Sequence, residues 1–143
     1  MTTTRSPQIG LGERTVGEVM RLGVVTCAPD TPLSEVARLM GAYRIHCVVV
    51  SGLTEDVHGT RLVWGVVSDL DLARALASDE EATAGQVAAT EPVTASPYDT
   101  LADVAQVMAE HEIAHLVVID GVDAEPMGMI STLDLARAYA GAV

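Results

Sequence analysis

Residues 65–76 read "GVVSDLDLARAL", and residues 128–139 repeat the pattern as "GMISTLDLARAY". In each, a short apolar run ends on a serine, Ser68 or Ser131. An aspartate, Asp71 or Asp134, follows three residues later and opens a helix-favouring stretch. A strand that turns into a helix at the serine accounts for that order. Its occurrence twice within 143 residues means the fold is built from two copies of one unit.

The copies extend upstream. A shift of 68 positions lays "VGEVM" (16–20) on "AGQVA" (84–88) and "VVTCAPDTPLSEVARLM" (24–40) on "PVTASPYDTLADVAQVM" (92–108). After the next apolar run the shift is 63, so the first copy carries a loop five residues longer, around "SGLTEDVHGTR" (51–61). Leu33, Val36, Ala37 and Met40 recur at helical spacing, as do Leu101, Val104, Ala105 and Met108, which predicts one core-facing helix per copy. Thr31 before Pro32 and Asp99 before Thr100 are the expected caps at the helix starts. "CVVV", "HLVVI", "RLVWGVV" and "PMGMI" read as four buried strands, and "VVT" and "PVT" add a short strand to each copy. Small helical turns are expected at "VGEVM" and "AGQVA".

A lone unit of about sixty residues would leave an apolar face uncovered. The expectation is therefore an α/β fold in which two β-α-β-β-α repeats cover each other with pseudo-two-fold symmetry. Residues 15–77 form repeat 1, 78–83 an acidic linker, and 84–143 repeat 2. Residues 1–14 are polar and glycine-bearing, and are expected to be flexible.

Composition limits the function. A hydrophobic fraction of 49% is enough for a real core, and eight arginines without a lysine stand against twenty acids. The net charge of −12 repels a phosphate backbone, so nucleic acid is not an expected partner. No stretch has the apolar length of a membrane span, and Cys27 and Cys47 are too few and too far apart for a disulfide scaffold. Reduced thiols and a cytoplasmic location are expected.

The S-x-x-D pattern has two readings. In one it is a capping box, in which the serine hydroxyl accepts from a helix amide while the carboxylate reaches back. In the other the helix N-terminus and Ser68 favour a phosphate, and Asp71 takes the hydroxyls of a ribose. Gly65 and Gly128 would then admit a flat group to the backbone. Arg74 and Arg137 in "DLARA" are either phosphate ligands or part of a solvated face.

With both motifs and the repeat in view, the chain over about residues 15–140 resembles a tandem pair of cystathionine-β-synthase (CBS) domains, a Bateman module. That family's G-h-x-S/T-x-x-D pattern, with h apolar, stands here as Gly65 to Asp71 and Gly128 to Asp134. The resemblance implies adenosine-type ligands (AMP, ADP, ATP or S-adenosylmethionine) in clefts between the repeats, with no obligatory cofactor. It implies Asp71 and Asp134 on ribose and Ser68 and Ser131 near phosphate. Thr26 and Thr94, with Ile45-His46 and Ile113-Ala114, would line the base pocket. The chain departs from the family where a proline is usual, having Val49 and Val117 there. The copies also differ from each other: Arg44 and His46 in the first become Glu112 and Ala114 in the second, so the first site should accept phosphate better.

Residues 111–115 spell H-E-I-A-H, the zincin pattern, which needs both histidines on one helix and a third ligand. The strand-like "HLVVID" begins at the second histidine, so the helix should end near His111 and a zinc hydrolase is only a remote alternative. A metal set of Cys27, His46, Cys47 and His58 has no usual ligand spacing. The expected function is a non-enzymatic, ligand-sensing regulatory module that transmits binding to an unknown protein partner and forms a homodimer. The alternative is a structural dimerisation module with vestigial clefts.

Overall fold

A computed structural model describes residues 12–52, 64–78, 81–89, 92–121 and 125–141. The elements, in chain order, are α1 (Val16–Val19), β1 (Arg21–Leu22), β2 (Thr26–Cys27), α2 (Leu33–Tyr43), β3 (Cys47–Val50) and β4 (Gly65–Ser68). There follow α3 (Asp69–Ser78), α4 (Ala84–Val87), β5 (Thr94–Ala95), α5 (Leu101–His111), β6 (His115–Ile119), β7 (Pro126–Ser131) and α6 (Thr132–Tyr139). This is the expected α/β class with a repeated strand-helix-strand-strand-helix order. The chain's contacts divide it into two compact units, Val24–Pro92 and a second one joining the residues up to Gly23 with Val93–Val143.

In the Val24–Pro92 unit, β2, β3 and β4 form a sheet in that order. The β2–β3 pair is parallel, with α2 as the crossover, and the β3–β4 pair is antiparallel, with Cys47 opposite Ser68. All four β3 residues are buried, as a short unbroken apolar, largely β-branched run requires. Leu33, Val36 and Met40 of α2 pack with Val48, Val50, Val67 and Ala84. Val49, where the family usually has proline, donates its amide to the Val25 carbonyl at 2.9 Å, a bond proline could not make.

In the second unit the sheet order is β1-β7-β6-β5. Leu101, Val104 and Met108 of α5 pack with Val16, Leu116, Val118 and Ile130. Strand β1 was not expected from the sequence: it has two exposed residues and no apolar period, and it forms because Arg21 and Leu22 pair with Met129 and Gly128.

Each unit takes its first helical turn from the other copy. The Val16 and Gly17 amides donate to the Asp99 and Pro97 carbonyls, each at 2.8 Å, and the Ala84 and Gly85 amides donate to Thr31 and Pro29 at the same distance. This exchange corrects the expected caps. Leu33 donates to the Ala82 carbonyl at 3.2 Å, and the α2 N-cap is Pro32 rather than Thr31, with no side-chain bond. At α5 the cap is Thr100, which accepts from the Asp103 amide, while Asp99 accepts from the Ser96 amide at 2.9 Å. Backbone carbonyls of the incoming segments satisfy amides that side chains were expected to serve.

Both core helices end alike. Arg44 (φ 55°) and Glu112 (φ 54°) are left-handed, and the following amides, Ile45 and Ile113, reach back to the Met40 and Met108 carbonyls at 3.0 and 3.1 Å. These are Schellman closures in which a non-glycine residue holds the strained position. The expectations for residues 1–11, for most of the long loop (53–63) and for 79–80 in the linker fall outside the described residues.

Candidate functional site

Strand β4 ends at Ser68, and α3 begins at the next residue. The Ser68 amide donates to Asp71 Oδ2 at 2.9 Å, and the Asp71 amide donates to Ser68 Oγ at 3.2 Å. The capping box is therefore real, but it uses only one carboxylate oxygen. Asp71 Oδ1 lies 3.9 Å from Arg74 Nη1, beyond hydrogen-bond length, and the Asp71 side chain is 27% exposed.

The segment before β3 is tied to the same turn. Asp69 donates its amide to the His46 carbonyl at 2.8 Å, and His46 Nδ1 lies 2.8 Å from Asp69 Oδ2. Ile45, His46, Ser68 and Asp71 thus meet at one end of the sheet. Ile45 is half-buried against the core, whereas Arg44 and His46 are exposed. Thr26 is exposed and level with Val49, hence with Val66, two positions along the strand from Ser68. Behind Ser68, burial pushes the Cys47 thiol up to about 12, with smaller contributions from the Asp69 and Asp71 charges. Asp71, Arg74, Ala75, Ser78, Ala82 and Val87 border a depression of about 290 Å³. A groove of about 640 Å³, lined in part by Leu33, Ala37, Leu72 and Leu76, runs between α2 and α3.

The turn at Ser131 repeats the frame with a different outcome. Asp134 Oδ2 accepts from the Ser131 amide at 2.9 Å and from its hydroxyl at 3.0 Å, and Thr132 donates its amide to the Ala114 carbonyl at 2.9 Å. Here Oδ1 faces Arg21 Nε at 3.5 Å, and only 7% of the Asp134 side chain is exposed. Ile113 is half-buried against its core, Ala114 is exposed, and Thr94 is half-buried opposite Val117.

Arg21 is the site residue that the sequence reading missed. A signal was present: the shift of 68 places Arg21 on Ala89, and the two occupy equivalent places, Arg21 opposite Met129 and Ala89 opposite Val66. Gly128 has a structural use of its own: a Cβ there would collide with the Arg21 carbonyl oxygen, so its absence admits β1.

The H-E-I-A-H stretch is divided between elements: α5 ends at His111, Glu112 is left-handed, and β6 begins at His115. The two histidines do not share a helix face. Cys27 and Cys47 are free thiols, and among the described residues no three His, Cys, Asp or Glu side chains are grouped to hold a metal. His58 lies outside those residues. Nor is any described helix long and apolar enough to cross a membrane.

Comparison with known proteins is consistent with this geometry. The CBS domain family matches twice, over residues 16–78 and 84–141. The CBS domain-containing protein YhcV of Bacillus subtilis (strain 168) is 28% identical over 124 residues, which cover 85% of this chain and 82% of that protein. The CBS domain pair of protein MJ0100, solved in complex with 5-methylthioadenosine and S-adenosyl-L-methionine, has the same fold. Its TM-score is 0.75 at 23% identity, covering 89% of this chain and 96% of that one. The CBS domain protein PAE2072 from Pyrobaculum aerophilum, complexed with AMP, matches with a TM-score of 0.68 at 27% identity, over 84% of this chain and 88% of that one.

Proposed function

The chain belongs to the CBS-domain family, and we propose that it is a ligand-sensing regulatory module. An adenine nucleotide or adenosyl compound is taken at the Ser68–Asp71 turn, and the change is passed to a partner protein. The observation that carries this reading is the division of labour at Asp71: Oδ2 closes the helix cap, and the partly exposed Oδ1 is left to accept from the vicinal hydroxyls of a ribose. The N-terminus of α3 offers positive potential to phosphate, His46 Nδ1 is paired with Asp69 Oδ2 in its first turn, and Arg44 is an exposed cation two residues before His46. The AMP complex of the Pyrobaculum protein supports AMP as the first ligand to test.

Binding becomes a signal by shifting populations of the module's states, and no catalytic step is assigned to the chain. A second copy of the chain is the natural cover for the repeated exposed apolar pairs, Leu70 and Leu76 on α3 and Leu133 and Tyr139 on α6. Two free thiols suit a reducing, cytoplasmic setting.

Thermal-shift titration with AMP, ADP, ATP and S-adenosylmethionine tests the reading. A ligand at a hundred times its Kd stabilises by about 2.7 kcal/mol, which raises Tm by roughly 5–10 °C. That shift is expected for at least one of the four and should disappear in Asp71→Asn. No shift with any of them overturns the reading.

A further inference from the structure

Arg21 and Ala89 hold the same place in the two halves of the repeat. Arg21 lies opposite Met129 on β7, and Ala89 exchanges backbone hydrogen bonds with Val66 on β4 at 2.9 and 3.0 Å. Met129 and Val66 are themselves equivalent, two residues before Ser131 and Ser68. At Ala89 the side chain ends at Cβ, and among the described residues Asp71 Oδ1 faces Arg74, an exposed arginine on its own helix that can swing away at little cost. At Arg21 a guanidinium stands on Asp134 Oδ1, and the carboxylate is buried.

The placement of Arg21 is built into the backbone. The Gly23 amide donates to the Met127 carbonyl at 2.8 Å, and Gly128 has no Cβ to push β1 away from β7. With Oδ2 held by Ser131 and Oδ1 facing Arg21, both oxygens of Asp134 have partners before any ligand arrives.

We propose that Arg21 decides the stoichiometry of the module: it is a built-in occupant of the Asp134 carboxylate, so that an adenosine-type ligand is taken at Asp71 alone. This rests on the ligand reading above and adds to it the statement that only one half is competent. Guanidinium and ribose hydroxyls are both donors competing for the same acceptor, and a tethered donor has the advantage of high local concentration. The charge asymmetry acts in the same direction, since Glu112 and Ala114 replace Arg44 and His46 beside the occupied carboxylate.

Isothermal titration of the full chain with AMP tests the proposal. The unmodified chain should bind one AMP, and Arg21→Ala should bind two. Adding Asp134→Asn to Arg21→Ala should return the count to one, and adding Asp71→Asn as well should abolish binding. Arg21 is largely exposed, and a thermal melt of Arg21→Ala confirms its folding. Two AMP per unmodified chain, or a count of one in folded Arg21→Ala, overturns the role of Arg21 and leaves the ligand reading standing. Absence of AMP binding in every protein overturns both.

Discussion

His46 and Asp69 are joined twice, through the Asp69 amide on the His46 carbonyl and through His46 Nδ1 on Asp69 Oδ2, each at 2.8 Å. The second copy keeps only the backbone bond, between Thr132 and Ala114. The shared bond therefore belongs to the fold, and the side-chain pair is particular to the first half. His46→Ala should cost less than about 1 kcal/mol in stability, because the pair is exposed. On the proposed reading it should weaken AMP about three- to tenfold, since Asp69 loses its partner in the first turn of α3. Asp69→Asn in the same protein should restore most of the affinity. A double-mutant cycle by calorimetry measures both effects.

Arg44 separates stability from binding. Its left-handed backbone suits glycine, so Arg44→Gly should raise stability by roughly 0.5–1 kcal/mol in urea unfolding. The same change removes an exposed cation two residues before His46 and, on the proposed reading, should weaken AMP binding. If stability falls, the C-cap strain is misjudged; if affinity is unchanged, Arg44 does not face the ligand.

Two glycines should respond in opposite directions to alanine. At Gly128 the new Cβ meets the Arg21 carbonyl oxygen, so the variant should lose roughly 1–3 kcal/mol, and exchange of the Gly23 amide should accelerate as β1 lifts. At Gly41, inside α2, nothing lies within 4 Å, and alanine should stabilise by roughly 0.5–1 kcal/mol. Hydrogen exchange and urea midpoints on the two variants check the contrast.

Cys47 makes a pH-dependent prediction. An ordinary thiol titrates at 9.0, whereas burial pushes Cys47 up to about 12 in the folded chain. At pH 9 it should react with iodoacetamide at least tenfold more slowly than in the unfolded chain. Its neutral form is favoured in the fold, so its contribution to stability is complete below pH 9 and is lost as pH rises toward 12. Urea midpoints should therefore fall less steeply above pH 9 in Cys47→Ala. The Cys27 thiol is raised in the same direction, by burial against an opposing hydrogen bond with Thr31.

What could be read from the sequence was what repeats at short range. The α2 and α5 stripes, the β3 and β6 runs and the two S-x-x-D turns are local patterns, and comparing the copies made them stand out. What escaped was long-range pairing. Nothing in "RL" at 21–22 announces a strand, because its period is supplied by β7 more than a hundred residues later. The expected Thr31 cap failed for the same reason, since the distant Ala82 carbonyl serves the Leu33 amide, whereas at α5 the neighbouring Thr100 hydroxyl caps in place of Asp99. Similarity between copies says which segments are alike, not which ones touch. The occupation of Asp134 by Arg21 was hidden by that distinction.

The exchange of first turns also sets an order of assembly during synthesis. Val16 and Val19 leave the ribosome well before the rest of the core that buries them, with Leu101, Leu116 and Ile130, is made. Until then these side chains lack the core that buries them, and closing so long a loop slows that step. The Val24–Pro92 unit is one contiguous stretch, whereas the other is joined from segments on either side of it, so the contiguous unit is expected to mature first.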